Sequence, residues 1–415
     1  MFSLHKAGLK SMFPNGEVLI QKFGGSSMGS VERIRKVAER VAAMARTGKR
    51  LVVVVSAMGD TTDELINLMN SVTPVPDRRE LDHIMATGEM VSASLAAAAL
   101  QDLGINARSF NAFNLQLYSE MQGEDYNIVR IGRVAELARF LEPGAVAIVA
   151  GFQGITADGD LTTLGRGGSD LTAVILAREL GQKVCEKYTD EDGIYTADPR
   201  IIPDARKVWH LSYDEMLMLA GYGNGILHPR AITSARDCAI RIHVRSSFSN
   251  AEGSVVGPDG DDQLAVKSIT CDSKLVFMRM HGVASPDDLF MNDLARQSFK
   301  PVMLQFKPYN EIKGSLRIGF RRLDAFAAIP FCWEHAARLH ADEVDCFANL
   351  TAVTLVGCGF NANSALAATF SRNLGEVVPV VEQHDRIRLS FAIEKAEVKL
   401  VMQAMHNLIT AQSPR

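Results

Sequence analysis

No apolar stretch in this 415-residue sequence is long enough to cross a bilayer. The longest runs, Leu51 to Val55 and Ala145 to Ala150, have the length of strands. A basic block is missing too, and the net charge is −4 with histidine neutral. Nucleic acid and anionic membrane are therefore excluded as main partners. The opening segment, MFSLHKAGLKSMFPNG, lacks a continuous apolar core and a small-residue cleavage site, so it reads as a short extension and not a signal peptide. A cytoplasmic protein is expected. There is no C-x-x-C, and the cysteines at 185, 238, 271, 332, 346 and 358 read as reduced, mostly buried thiols. Cys332, His335, His340 and Cys346 lie close in sequence, but their spacing fits no zinc pattern and reads as packing or surface groups; no protein-held metal site is expected.

Several catalytic signatures are also absent. Without G-x-x-x-x-G-K-[ST] the chain is not a P-loop kinase. Without G-x-G-x-x-G, H-R-D or D-F-G it is neither a dinucleotide dehydrogenase nor a protein kinase. One hydrolase-like match remains, Gly25-Ser26-Ser27-Met28-Gly29, which would make Ser27 a nucleophile. It follows the first strand, has Lys22 beside it, and has no Asp and His partners in order, so it is set aside.

What is present is ordinary globular composition, 47% apolar and 22% charged. A chain of this length exceeds one core, so about two or three domains are expected. From 17 to about 247 strand-like and helix-like segments alternate. EVLIQKF and LVVVV read as buried strands, and residues 30–46 carry Val31, Ile34, Val37, Val41 and Met44 at helical spacing. Helices follow at about 62–71 and 82–102. AVAIVAGF is a central strand, Asp170 to Leu180 a helix closed by Gly181, and KVCEKYTD a further strand. This order predicts an α/β domain, a mostly parallel sheet flanked by helices. Residues 249–265, rich in Ser, Asn, Gly, Pro and Asp, read as a linker. Beyond them, 266–412 read as two βαββαβ-like units. The later, clearer one runs through TAVTLVGCG, EVVPVV and RIRLSFAI; the earlier, looser one runs through KLVFMRM, PVMLQF and SLRIGF.

Three segments carry chemistry. Lys22-Phe23-Gly24-Gly25-Ser26-Ser27 follows the first strand. Its glycines let backbone N–H groups approach an anion at a helix start, and the lysine adds a point charge. Read alone, it fits a plain strand–helix turn equally well. Thr162 to Asp170 (TTLGRGGSD) feeds another helix. There Arg166 offers a planar fork for a carboxylate, Ser169 can cap the helix, and Asp170 can orient Lys22 or a metal-bound phosphate. A capped glycine turn with solvated charges is the plainer reading. Thr189 to Arg200 (TDEDGIYTADPR) places acidic residues at a strand end, where open α/β sheets bind ligands, or else forms a hairpin loop. Glu89, in Ala86-Thr87-Gly88-Glu89, reads by itself as a solvated helix charge.

Taken together the segments resemble the aspartate kinases of the amino-acid kinase superfamily. KFGGSSMGS, VVVVSAMGDTTDEL, ATGEMVSA, GFQG, TTLGRGGSD, TDEDGIYTADPRIIPDAR, SYDEMLMLA and ILHPRA fall in that family's order and spacing. The resemblance implies a catalytic domain over 17–248 after an extension at 1–16, followed by paired ACT domains over 266–412. It implies Mg²⁺ and ATP as phosphoryl donor, L-aspartate as acceptor, and 4-phospho-L-aspartate as product, a first step toward lysine, threonine and methionine or specialised products. Carried onto this sequence, Lys22 and Asp170 are the catalytic pair, with Gly24 and Gly25 cradling phosphate. Ser26, Thr61, Glu89, Arg166 and Ser169 are expected on the substrate, Glu89 holding the α-ammonium. Thr189, Asp190, Tyr195 and Arg200 are expected to line the nucleotide pocket. A homodimer is implied, and an amino-acid effector at the ACT domains.

The sequence also departs from the family. Ser26 stands for a usual threonine, Leu171 for another, and Glu191 for an apolar residue. The family's G-A-K-V-L-H-P is Gly223-Asn224-Gly225-Ile226-Leu227-His228-Pro229 here, without its lysine. The first ACT-like unit lacks a glycine-rich effector loop, and VVEQHDR at 380–386 replaces a serine-rich stretch, so feedback by lysine or threonine and loss of regulation both stay open. A kinase for another carboxylate and a non-catalytic amino-acid sensor are the competing functions.

Overall fold

The computed structural model describes residues 18–258, 265–283, 288–310, 313–360 and 364–411. The extension expected at 1–16 lies outside these residues. The chain forms two compact units. The first is built from residues up to Ile194 with Trp209–Leu217 and Gly225–Gly260; the second takes Tyr195–Val208, Met218–Asn224 and everything from Asp261.

In the first unit β1 (Val18–Phe23), α1 (Gly25–Met28), α2 (Val31–Ala45) and β2 (Arg50–Val55) follow one another. Then come α3 (Thr61–Val72), α4 (Arg78–Asp102), β3 (Ala107–Phe110), the hairpin of β4 (Leu117–Gln122) and β5 (Asp125–Ile131), and β6 (Val146–Ala150). After these lie β7 (Gln153–Ile155), β8 (Leu161–Thr163), α5 (Gly168–Glu179), β9 (Val184–Thr189), β10 (His210–Ser212), α6 (Pro229–Asp237), β11 (Arg241–Ser246) and β12 (Ser254–Gly257). Ser30 opens α2 by accepting a hydrogen bond from the Arg33 N–H, and its Ile34, Val37, Ala38, Val41 and Ala42 are buried at helical spacing. Leu51 to Val55 are all buried to 1% exposure or less, as a strand covered on both faces requires. Each such side chain contributes about 1.5–3 kcal/mol of transfer free energy.

The main sheet has eight strands in the order β10-β12-β11-β9-β1-β2-β6-β3, parallel except where β11 meets β12. Ser254 to Gly257 had read as linker, yet Val256 is fully buried opposite Ile242, so the sheet continues past residue 249. The chain leaves β1 toward β2 on one side and returns through β9 on the other. That reversal of direction opens a crevice beyond the carboxyl ends of β1 and β9, the place where open α/β sheets take ligands. A smaller sheet, β5-β4-β7-β8, carries the approach to α5.

In the second unit β13 (Ser268–Asp272) is followed by β14 (Leu275–Val283), α7 (Asp288–Arg296), β15 (Met303–Pro308), β16 (Gly314–Arg321), α8 (Arg322–Arg338) and β17 (Glu343–Phe347). The strands β14 to β17 close one four-stranded sheet, ordered β15-β16-β14-β17. The run then continues with β18 (Leu350–Val356), α9 (Ser364–Arg372), β19 (Val381–His384), β20 (Arg388–Glu394) and α10 (Val398–Ala411). Its sheet is β13-β18-β20-β19. The later unit therefore borrows β13 from ahead of the earlier one, which is the contiguous βαββαβ copy. The strand expected at EVVPVV starts only at Val381, because Pro379 has no N–H to give a ladder.

Candidate active site

Lys22 ends up inside the first unit because the alternation of β1 turns it, with Ile20, away from the Gln21 face. It lies opposite Lys187 in the parallel register of β1 and β9. Both side chains meet Asp170 in the first turn of α5. Lys187 Nζ donates a hydrogen bond to Asp170 Oδ2 at 2.5 Å. Lys22 Nζ stands 2.6 Å from Oδ1, so each carboxylate oxygen faces one ammonium group. Asp170 is 7% exposed. Burial alone would push its carboxyl up, but the charges of Lys187 and Lys22 outweigh this and bring it down to about 2. Two ammonium groups against one carboxylate leave a net positive charge at the end of the crevice. The loops at 22–27 and 165–170 thus share one side of the sheet.

Glycine makes the neighbouring loop possible. A Cβ on Gly25 would lie 3.2 Å from the Gly59 carbonyl and 3.3 Å from that of Ala57, so a side chain there would press the loops after β1 and β2 apart by a few tenths of an ångström. The Gly59 N–H donates to the Gly25 carbonyl at 3.1 Å. Gly24 leaves open space beside Lys22, its ideal Cβ lying 3.6 Å from Nζ. Ser26 Oγ donates to Asp190 Oδ1 at 3.2 Å, and Thr189 donates to the same oxygen at 2.9 Å, tying the ends of β1 and β9 together.

Glu89 is not the solvated helix charge that its own sequence context suggests. It sits within the 25-residue α4 and is 3% exposed. Its Oε1 accepts the Ala57 N–H at 3.1 Å, while Oε2 is buried without a partner. Burial raises its carboxyl to about 7, against the hydrogen bonds and the Lys22 charge. Thr61 opens α3 next to Gly88, whose ideal Cβ would lie 3.7 Å from the threonine methyl.

Ser169 differs from expectation as well. Gly167, at φ +76°, is the residue ahead of α5, so Ser169 lies within the helix and is not its cap. It is held against Gly151, where any Cβ would come within 2.7 Å of the serine. Arg166 is exposed on the same loop, and among the described residues no hydrogen bond or ion pair occupies its guanidinium. Tyr195 and Arg200 are not brought to this cluster by the first unit. They belong to the second, where the Arg200 guanidinium pairs with Asp198 at 2.8 Å.

A model of the amino acid kinase family matches residues 17–246, the segment that supplies every side chain of this cluster. The chain belongs to that family. Within it the chain is similar to aspartokinases: 34% identical over 398 residues to aspartokinase 2 of Bacillus subtilis, covering 94% of this chain and 97% of that one. It is 48% identical to the Thermus thermophilus aspartokinase over 239 residues, 58% of this chain and 59% of the other. Among solved structures, E. coli aspartokinase III in complex with aspartate and ADP superposes with a TM-score of 0.76 at 20% identity, over 95% of this chain and all of that one, which establishes the shared fold. The aspartate kinase of Synechocystis, 30% identical, gives 0.53 over 96% of this chain and 70% of its own.

In this amino acid kinase site sequence reasoning missed Lys187 and the Ala57 N–H. A lysine in the middle of a central strand was the available signal for the first, since lysine is rarely buried without a partner. The second is a backbone group and leaves no trace in residue identity.

Proposed function

We propose that the chain transfers the γ-phosphoryl group of Mg·ATP to the side-chain carboxylate of L-aspartate, giving ADP and 4-phospho-L-aspartate. The observation that carries this reading is the contact of Lys22 with Asp170 at the crevice mouth, with glycine beside the ammonium group. The acceptor carboxylate is already ionised at neutral pH, with a reference pKa of about 3.9, so no general base is required. One carboxylate oxygen forms the new O–P bond, and the bond from the γ-phosphorus to the bridging oxygen breaks with its electron pair leaving on ADP. The protein's task is to bring two anions together and spread positive charge over the phosphoryl group.

Lys22 supplies that charge, and the glycine loop supplies backbone N–H groups at a helix start. The free Arg166 fork suits a substrate carboxylate, while the unpartnered Oε2 of Glu89 suits the α-ammonium. Together they fit an amino diacid better than a simple carboxylate. No group of three or more His, Cys, Asp or Glu among the described residues would hold a metal ion. Mg²⁺ needs none, since it binds mainly to phosphates and water with one or two carboxylates. Asp170 is committed to its lysines, and Asp190 at the end of β9 is a carboxylate that would suit the ion carried by the nucleotide.

Trapping of the acyl phosphate with hydroxylamine, together with ADP release, tests the reading. Aspartate hydroxamate is expected from the wild type and is lost in Lys22→Ala and Asp170→Ala. Hydroxamate from a different acid alone would rule out aspartate, and no aspartate-dependent ADP release would rule out the kinase.

A further inference from the structure

Asp170 has two lysines, and the reaction as described uses one. We propose that Lys187 is a positioning residue of the phosphoryl transfer: it anchors the Asp170 carboxylate by a hydrogen bond and so leaves the Lys22 ammonium directed at the transferring group. This rests on the kinase reading above.

Three observations carry it. Lys187 and Lys22 are register partners on adjacent parallel strands, so the sheet itself holds both ammonium groups on the face where α5 begins. The two lysines divide the carboxylate between them. Lys187 hydrogen-bonds Oδ2 at 2.5 Å, and Lys22 stands 2.6 Å from Oδ1. A carboxylate with Lys22 as its only partner would be free to turn both oxygens onto that one ammonium group. With Oδ2 held by Lys187, only Oδ1 faces Lys22, and the ammonium group keeps N–H groups for a substrate in the crevice. Finally, the Lys187 side chain is 12% exposed and that of Asp170 is 8%, so water does not screen the pair. A merely structural role, a countercharge for a buried acid, would leave kcat and its pH profile unmoved in a folded variant.

The test is steady-state kinetics of Lys187→Met, Lys187→Gln and Lys187→Arg by the hydroxamate assay over a range of pH. In Lys187→Met, kcat is expected to fall about 10²-fold, the scale of losing one preorganised electrostatic contact. The KM for aspartate is expected to stay within about 2-fold, because Arg166 and Glu89 are untouched. The arginine variant, which keeps a charged donor, should recover most of the rate. Burial and the Lys22 charge lower the Lys187 pKa, against the pull of Asp170. The groups facing it are Asp170 on α5, Lys22 on β1, Cys185 on its own strand and His228 before α6. The wild-type rate should therefore fall on the alkaline side, and that fall should move to higher pH when Lys187 is removed. Should Lys187→Met not fold, Lys187→Gln decides, since its amide can still donate to Oδ2 while its charge is gone: loss of the alkaline fall with kcat reduced supports the proposal. Wild-type kcat and an unmoved alkaline limb in either variant overturn it. Failure of the wild type to make any hydroxamate would instead overturn the kinase reading.

Discussion

At Glu89 one carboxylate oxygen has a donor and the other has none, and a buried oxygen without a partner is costly unless something arrives to serve it. An α-ammonium group does so, and its charge favours the ionised carboxylate. With a carboxyl raised to about 7 in the free protein, a large fraction is protonated at neutral pH and must lose its proton when aspartate binds. Aspartate affinity should accordingly rise as pH increases through about 7 and level off above it, a dependence read from KM between pH 6 and 8. In Glu89→Gln the same plot should be flat and KM higher by about 10–100-fold, the loss of a charged hydrogen bond of ~1.5–3 kcal/mol. A flat profile in the wild type would remove Glu89 from the ammonium site. For folding the sign is opposite to that of Asp170. The raised Glu89 carboxyl stabilises the native state most below its unfolded pKa, and that contribution is lost as pH rises through about 7. The depressed Asp170 carboxyl stabilises it above its unfolded pKa, and that contribution is lost as pH falls toward about 2. The identity of both residues could be read from motif resemblance. Their environments could not, because the burial of Glu89 depends on a helix passing a loop from a different part of the sheet.

Helix α4 owes that passage to a residue that local rules would remove. Glycine within a helix costs about 1 kcal/mol relative to alanine, so Gly88→Ala should stabilise an isolated helix. Here a Cβ at position 88 would lie 2.8 Å from the Ala57 Cβ, closer than two such atoms pack. The clash pushes α4 from the loop after β2, and the Ala57 N–H and Glu89 separate. A net loss of about 1–3 kcal/mol is expected from overpacking, seen as a lower melting temperature together with a raised aspartate KM. Unchanged melting and KM would show that the loop yields freely. At this scale much was legible: the periodicities of 31–45, 50–55 and 168–179 give their elements to within a few residues. The strand at 254–257 was not, because its polar, glycine-rich flanks look like a linker and only pairing with 242–244 makes it a strand. Nor was the ownership of β13, since a five-residue strand carries no mark of which sheet it will join.

For the molecule as a whole, the order of the chain and the order of its cores disagree. Residues 195–208 lie within the segment matched by the kinase family model, yet they fold into the second unit. Ala197 and Ile202 are buried there with Val266, Ile269, Phe391 and Met402. The Thr196 hydroxyl pairs with His406 Nε2 at 2.9 Å, and the Thr196 carbonyl accepts the Ile269 N–H at 2.8 Å. The boundary expected near residue 248 is thus a boundary in sequence and not in packing. A chain ending at residue 260 keeps the full family match but strips Ala197, Ile202 and Thr196 of their partners. It should expose apolar surface that binds a hydrophobic dye, melt at lower temperature than the intact chain, and lose most of its kinase activity, although Lys22, Lys187 and Asp170 all remain. Ile202→Ala in the intact chain makes the same point without truncation: a cavity in that core costs about 2–5 kcal/mol, read as a shift in the unfolding of the second unit. If the shortened chain melts and turns over like the intact one, the 195–208 segment is only a connection, and the kinase unit is complete without the second core.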